Sequence, residues 1–468
     1  MAGRRAALDV LVLAAGIGKR LRSKTIKLLH PVAGRPMVAH VLEAAAELRP
    51  RSLVTVIGHQ AERMREALGD GATRFVLQRE PLGTGHAVLQ AARSVDPRGT
   101  LLVLNGDLPM IRPATLRRFV AQHRRSGAVL SVLTAEVADP TGYGRVVRDG
   151  RGALRAVVEH RDASPEVRRI REINCGIYCA QFAVLLPTLR RLTPNTAQGE
   201  YYLTDAVRGL IERGQKVAAV LHDDAEELMG VNTRHELARA ARTLYARKAE
   251  ALQAAGVTLL DAERTWIDPR ARIGPDTLIY PNVIIEGESR VGRDCVVGPG
   301  CRLTDSTVGA GAQILDYCVM QDSHIGPGAR VGPFARLRPG SILEAGSRVG
   351  NFVEIKKTRL GRGSKANHLT YLGDATIGPD CNIGAGTITC NYDGANKHVT
   401  VLGRGVFVGS DTQLVAPIDI GDGAYVGAGA TITKDVPAGA LALSRSPQKN
   451  IEGWVARRAR RGRSKARS

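Results

Sequence analysis

Aliphatic residues recur every sixth position through the C-terminal third of the chain. Ile267, Ile273, Ile279, Ile285, Val291, Val297 and Leu303 keep that spacing without a break. The phase slips by one at Val308, Ile314 and Met320, then resumes at Ile325, Val331, Leu337, Leu343, Val349 and Ile355. It returns at Leu402, Val408, Leu414, Ile420, Val426 and Ile432. Glycine often follows the aliphatic residue, as at Gly274, Gly292, Gly298, Gly326, Gly332, Gly350, Gly421 and Gly427. A single α-helix has no six-residue period, and this Gly and Pro content would break one. A β-sandwich would alternate with period two. The spacing predicts a parallel β-helix: each hexad is a short strand with one aliphatic side chain inward, and small residues ease the chain round the corner. No hexad buries its apolar face alone, so stacked coils share a continuous core.

The N-terminal half has a different rhythm. Apolar runs at Leu8–Ala15, Leu53–Ile57, Phe75–Leu77, Leu101–Leu104 and Ala128–Leu133 alternate with helical patterns such as Met37–Leu48 and Ala61–Leu68. That alternation predicts a doubly wound α/β sheet, whose ligands sit beyond the carboxyl ends of its strands. Between the halves, Arg234–Ala255 is rich in Ala, Leu, Arg and Glu, lacks Gly and Pro, and meets Gly256: a long helix with a glycine stop. The expected organisation is an α/β domain over 1–231, a linker helix over 232–255, a β-helix over 256–456 and a basic tail over 457–468.

Composition narrows the function classes. The 468 residues suffice for two domains. The aromatic share of only 4% suits a core of small branched side chains. Net charge is +21, and seven of the positive charges (Arg457, Arg458, Arg460, Arg461, Arg463, Lys465 and Arg467) fall in the acid-free tail. The tail reads as a disordered, solvated end. Elsewhere the basic residues are dispersed and lack interleaved aromatics. This argues against a nucleic-acid binder and agrees with anionic small-molecule substrates. The cysteines (Cys175, Cys179, Cys295, Cys301, Cys318, Cys381 and Cys390) are odd in number without a CxxC pair, so a reducing cytoplasm is expected and disulfides are not. Arg4-Arg5 before Val10–Ala15 faintly imitates a secretory signal, but Asp9 interrupts the run and no AxA site follows. No run reaches membrane-spanning length.

Two places carry candidate chemistry. Leu8–Ala15 delivers Gly16-Ile17-Gly18-Lys19-Arg20, a glycine-rich turn with basic side chains, where a phosphate can approach the backbone closely. Asn105-Gly106-Asp107 follows Leu101–Leu104 directly. A carboxylate there either caps the next helix or holds Mg²⁺, which favours one or two protein oxygens plus substrate phosphates. In the C-terminal third, Gly361–Thr376 and about Cys390–Val401 interrupt the hexads and are expected to form loops on a binding face. The first holds Lys365, Asn367, His368 and Tyr371, the second Asn391, Tyr392, Asp393, Asn396 and Lys397. Arg338, Glu354 and Lys356 lie on nearby coils. A neutral imidazole among cations and hydroxyls suits deprotonation of an amine near pH 7.

A resemblance gathers these pieces. Leu13-Ala14-Ala15-Gly16-Ile17-Gly18-Lys19-Arg20, Lys27-Leu28-Leu29-His30, Leu82-Gly83-Thr84-Gly85-His86-Ala87 and Gly106-Asp107 resemble the sugar-1-phosphate nucleotidyltransferases. Tyr143-Gly144-Arg145, Val158-Glu159-His160, Ile173-Asn174-Cys175-Gly176, Gln198-Gly199-Glu200-Tyr201-Tyr202 and Gly230-Val231-Asn232 narrow it. From Leu8 to Trp454 the chain resembles the bacterial bifunctional family that joins N-acetylglucosamine-1-phosphate uridyltransferase to glucosamine-1-phosphate N-acetyltransferase. The fold this implies is a Rossmann-like nucleotidyltransferase domain, a linker helix and a left-handed parallel β-helix of hexapeptide repeats.

The resemblance also implies roles. Leu13, Ala14, Ala15, Gly16, Gln78, Gly83 and Thr84 would hold the uracil and ribose of UTP, with Asn105 beside them. Arg20 and Lys27 would be catalytic, binding the triphosphate, with Lys27 stabilising the charge that builds on the attacked α-phosphoryl group; Asp107 and Asn232 would hold Mg²⁺, and Gly144, Glu159 and Asn174 would bind N-acetylglucosamine-1-phosphate. In the second site His368 would be the base, oriented by Glu354. Arg338 and Lys356 would bind the phosphate of glucosamine-1-phosphate, with Tyr371 and Asn382 on its hydroxyls. Ala385, Asn391, Tyr392, Ser410, Ala428 and Arg445 would contact acetyl-CoA. A homotrimer is implied, with no membrane partner. The chain departs from the family pattern at Ile26 (usually proline), Pro81 (usually glutamine) and Asn105 (usually aromatic). One alternative is a single-activity nucleotidyltransferase whose β-helix only supports it; another is a catalytically silent scaffold, against which the phosphate loop, Lys27 and Asp107 are intact.

Overall fold

The computed structural model describes residues 7–16, 18–69, 71, 73–194, 199–444 and 446–465. Contacts divide the chain into two units, Met1–Arg247 and Lys248–Ser468.

The first unit is built on one twisted sheet. Its main strands are β1 (Leu8–Ala14), β2 (Ser52–Ile57), β3 (Arg74–Leu77), β4 (Thr100–Asn105), β5 (Leu130–Glu136), β6 (Glu172–Gln181) and β7 (Val217–His222). They lie in the order β7-β5-β6-β4-β1-β2-β3. All run parallel except β6, which is antiparallel to both β4 and β5. Val10, Leu11 and Val12 are completely buried because both faces of β1 are covered. Their uninterrupted apolar run is what a central strand of such a sheet requires. Helices Met37–Ala46 and Pro113–Ser126 contribute to the core on one face, and Thr84–Gln90 and Leu203–Ile211 to that on the other. The carboxyl ends of β1 and β4 are adjacent, with Leu13 in register with Asn105, so the two predicted site segments leave the sheet side by side.

The helix Arg234–Ala254 begins with a capping box. The Thr233 hydroxyl accepts from the Glu236 amide at 3.2 Å, and the Glu236 carboxylate accepts from the amides of Asn232 and Thr233, each at 2.7 Å. In the first unit its Ala240 is buried in the α/β core; past residue 247, Ala249 and Leu252 belong to the core of the second.

The second unit is a parallel β-helix. Its short strands form three parallel sheets of eleven, ten and nine strands among the described residues. Ile279 lies beside Val297 and Val297 beside Ile314, so successive turns stack the hexad positions. Nearly all of the inward aliphatics are buried. Two residues before many of them stands a small buried side chain such as Cys295, Cys301, Ser306, Ala312 or Cys381, since the tight corner has no room for a larger one. This places four of the cysteines (295, 301, 318 and 381) in the core, and all seven are free thiols.

The phase slip has a local cause. On one edge of the prism the corner is shortened by one residue, and Asp305, Asp322, Lys357 and Asp374 take left-handed backbone there (φ 47°, 42°, 44° and 50°).

Two expectations are corrected. Gly361–Thr376 is no protruding loop: Leu360, Ala366, Leu372 and Ile377 continue the inward column, and strands Lys365–His368 and Tyr371–Gly373 pair with the coils before and after. The alanine and the polar outward residues disguise an ordinary coil. Cys390–Val401 does protrude, as a short excursion closed by a bridge between Tyr392 and Lys397. The tail is also not irregular throughout, because Trp454–Lys465 forms a helix, exposed over residues 454–459. Its Ala- and Arg-rich sequence has the propensity for one.

Candidate active sites

In the first unit, three segments distant in sequence converge on one point. The Lys27 ammonium donates to the Asp107 carboxylate Oδ2 at 2.6 Å and to the Asn232 amide Oδ1 at 2.7 Å. The Arg20 guanidinium donates to the same Asn232 oxygen at 2.7 Å. Each residue is placed by its own element. Asp107 follows the end of β4, and Gly106 donates to the Leu13 carbonyl at 2.9 Å. Asn232 is fixed by the Glu236 carboxylate of the capping box. Lys27 opens a single 3-10 turn, and its stem packs against Gly18. Gly18 has φ +68°, and a Cβ there would lie 2.3 Å from the Lys27 Cβ, so only glycine allows this approach.

Asp107 and Asn232 thus offer one carboxylate and one amide oxygen to a single cation, and an ammonium stands in for it. The donor set fits Mg²⁺, which typically takes one or two protein oxygens and completes its shell with water and phosphate.

Gln78 follows β3, is buried, and spends its amide on the Gly83 carbonyl at 3.1 Å and on His86 Nδ1 at 3.0 Å. Leu82 accepts from the Tyr201 amide and Gly85 donates to the Tyr201 carbonyl, both at 2.8 Å, tying the Gly83-Thr84 turn to the later Tyr201-Tyr202 segment. The Leu203 amide donates to the Thr84 hydroxyl at 3.0 Å. Asn105 packs its amide nitrogen against Gly176, where a Cβ would come within 2.0 Å of it.

Gly144, Glu159 and Asn174 also come together. A Cβ on Gly144 would sit 3.5 Å from the Asn174 Cβ and 3.6 Å from Glu159 Oε1. Burial pushes the Glu159 carboxyl above the usual range, with Asp162, Asp205 and Glu200 adding repulsion; the Thr204 hydroxyl, donating at 3.1 Å, opposes the rise. Asn174 donates to the Tyr178 hydroxyl at 2.7 Å and accepts from the Gly176 amide at 3.0 Å.

Among the described residues of the second unit, the predicted ones fall on two corners of the prism, on two of its sheets and on the excursion. His368 ends the strand Lys365–His368, in register with Asn351 one coil earlier. Its Nδ1 lies 3.0 Å from the Asn351 Oδ1. An amide oxygen only accepts, so Nδ1 carries the proton, and in the neutral ring Nε2 presents its lone pair. Glu354, expected to orient His368, instead accepts from the Arg338 guanidinium at 2.9 Å. The physical reason is register: Glu354 is paired with Tyr371 on the neighbouring sheet, whereas Asn351 shares the corner of His368.

That corner continues through three predicted coenzyme contacts. Gly386 donates to the Leu369 carbonyl at 3.1 Å, Asp411 to that of Ala385 at 2.7 Å, and Gly429 to that of Ser410 at 2.8 Å. Asn351, His368, Ala385, Ser410 and Ala428 therefore form one column. Its later members, Ala385, Ser410 and Ala428, carry small side chains. Asn382 is half-buried on the same sheet, next to Lys365. Arg445 lies outside the described residues.

On the other corner Lys356 is 4.0 Å from the Asp374 carboxylate, which also accepts from the Asn391 amide. The Lys397 ammonium meets that of Lys356, a contact that pulls the Lys397 pKa down; Asp374 and Tyr371 partly offset it. Two neighbouring ammonium groups favour a bound anion. The Tyr392 hydroxyl donates to the Gly394 carbonyl, leaving its ring 60% exposed on the excursion. Asn351, Asp374 and Lys397 had no assigned part in the sequence reading. Lys397 showed only as a loop cation, and the other two become visible through register.

Comparison with known proteins agrees with both units. Residues 10–173 match the model of the MobA-like NTP transferase domain, residues 262–357 that of the GMPPB C-terminal domain, and residues 400–434 that of the bacterial transferase hexapeptide (six repeats). The prism is accordingly the left-handed parallel β-helix. The chain is 49% identical over 446 residues to the bifunctional protein GlmU of Pelobacter propionicus, covering 95% of this chain and 97% of that one. It is 50% identical over 447 residues to the bifunctional protein GlmU of Stutzerimonas stutzeri, covering 96% and 98%. A third relative, the bifunctional protein GlmU of Koribacter versatilis, is 46% identical over 453 residues, covering 96% and 97%. The chain belongs to the GlmU family of bifunctional enzymes, which acetylate glucosamine-1-phosphate from acetyl-CoA and then, with Mg²⁺, transfer uridylyl from UTP to give UDP-N-acetylglucosamine and diphosphate.

Proposed function

We propose that the two reactions divide between the units as the sequence boundaries do: uridylyl transfer on 1–231, acetyl transfer on 256–456, with 232–255 as the link. The observation that carries this reading is the convergence of residues 27, 107 and 232 on one cation position, while His368 heads a separate column of small residues.

In acetyl transfer, Nε2 of His368 takes a proton from the substrate ammonium. The free amine attacks the thioester carbonyl, the C–S bond breaks, and the coenzyme leaves as its thiol once protonated. Asn351 holds the imidazole in the tautomer that this requires. Lys356, Lys397 and Arg338 neutralise the sugar phosphate, Tyr371 and Asn382 meet hydroxyls, and Ala385, Ser410, Ala428, Asn391, Tyr392 and Arg445 contact the coenzyme.

In uridylyl transfer a phosphate oxygen of N-acetylglucosamine-1-phosphate attacks the α-phosphorus of UTP, and the bond to diphosphate breaks. The nucleophile is already ionised at neutral pH, so the protein's share is positioning and charge neutralisation. Lys27 and Arg20 bind the triphosphate. Leu13, Ala14, Ala15, Gly16, Gln78, Gly83, Thr84 and Asn105 frame the nucleoside, and Gly144, Glu159 and Asn174 hold the sugar. Asp107 and Asn232 would hold Mg²⁺, which supplies further neutralisation of phosphate charge.

The same reading includes a homotrimer. Tyr317, Phe334 and Phe352 stack on one corner, Leu369 follows on the next coil, and the four stay 56%, 48%, 57% and 63% exposed. All four take left-handed backbone, costly for bulky residues. An apolar stripe of this kind, ending beside His368, favours burial against another copy of the chain. Free thiols and the substrates favour a cytoplasmic location.

The test is a coupled assay. Supplied with glucosamine-1-phosphate and UTP, the enzyme should release diphosphate only when acetyl-CoA is also present. Diphosphate release without acetyl-CoA at an equal rate would overturn the order of the two reactions.

A further inference from the structure

The cation seat at Asp107 and Asn232 is taken by the protein itself. Lys27 Nζ sits 2.6 Å from one of its oxygens and 2.7 Å from the other. Arg20 supplies a second donor to Asn232 at 2.7 Å. Both lysine and carboxylate are largely enclosed, with side chains 11% and 21% exposed. The lysine stem is locked by its packing on Gly18. Mg²⁺ binds oxygens at about 2.1 Å. It cannot share these two with an ammonium already in hydrogen-bond contact, because two cations in one small, part-buried seat repel strongly.

From this geometry we infer that Lys27 is an internal plug: in the free enzyme it occupies the metal seat, and divalent metal enters only with a nucleoside triphosphate. The inference rests on the uridylyl-transfer reading of this site. A polyphosphate draws off the Lys27 ammonium and the Arg20 guanidinium, both placed to bind it, and brings further oxygen ligands for the ion. The enzyme thereby avoids holding a metal in an empty site. No bond is made or broken; one cation replaces another at the same two oxygens.

The experiment uses the full chain and Mn²⁺ as probe, followed by the loss of the free-ion electron paramagnetic resonance signal. Lys27→Met keeps the aliphatic stem and removes the charge; Lys27→Arg keeps the charge. Without nucleotide, Lys27→Met should bind Mn²⁺ at this seat about tenfold or more tightly than wild type, and Lys27→Arg should remain as weak as wild type. With a non-hydrolysable UTP analogue, wild type should gain a Mn²⁺ site that Asp107→Ala removes. Equal Mn²⁺ affinity of wild type and Lys27→Met without nucleotide overturns the plug. A nucleotide-dependent site that survives Asp107→Ala instead overturns the underlying reading of where the metal sits.

Discussion

His368 Nδ1 and Asn351 Oδ1 meet at 3.0 Å across one turn of the β-helix. The amide fixes the tautomer, so Asn351 is a positioning residue for the acetylation base. Asn351→Ala should lower the rate of thiol release by about 10–100-fold, leaving diphosphate release from N-acetylglucosamine-1-phosphate unchanged. Asn351→Asp keeps an acceptor and adds a negative charge, which favours the imidazolium. The alkaline-rising limb of its acetylation profile should therefore move to higher pH. A pH profile that does not move would assign Asn351 to structure alone.

Glu159 is ionised at a cost. Its carboxyl is raised by burial, so the folded protein binds the proton more tightly than the unfolded chain does. The sign follows: stability is lost as pH rises from the ordinary carboxylate range through the folded value, and stays lost above it. Glu159→Gln should raise the melting temperature at pH 7, an advantage that disappears below the ordinary carboxylate range. The same change should raise KM for N-acetylglucosamine-1-phosphate. Thermal melts across pH, paired with kinetics at pH 7, check both.

Gly18→Ala places a methyl against the Lys27 stem at a left-handed backbone position. A shift of Lys27 by about 1 Å is enough to cost about 100-fold in a reaction that runs on positioning. Diphosphate release should fall by that order, and thiol release should be retained.

Ile26 stands where the family usually has proline, and it adopts φ −54° and ψ 135° without the ring. These are the angles that proline favours. Ile26→Pro should therefore be tolerated and should stabilise the protein by about 0.4–1 kcal/mol, chiefly by restricting the unfolded chain. Chemical denaturation measures this.

The hexad period made most of the prism legible, because every coil repeats the same packing problem. It lapsed at Ala366, where a small inward residue hides an ordinary coil and made Gly361–Thr376 read as an insertion. The α/β alternation and Asp107 were legible in the same way, as apolar runs ending in polar turns. The union of Lys27, Asp107 and Asn232 was carried by resemblance alone, since no local pattern relates residues 80 and 205 positions apart. Glu354 was the natural acid to pair with His368 by sequence, but strand register gave that place to Asn351. The proximity of Lys356 and Lys397 had no signature, because one lies on a coil and the other on the excursion.

That two independent centres share this chain is tested most directly by measuring thiol release and diphosphate release side by side on full-length Lys27→Met and His368→Ala. Lys27→Met should lose diphosphate release and keep thiol release, and His368→Ala should do the reverse. Loss of both activities in a folded single variant, or acetylation undiminished in His368→Ala, would contradict the account.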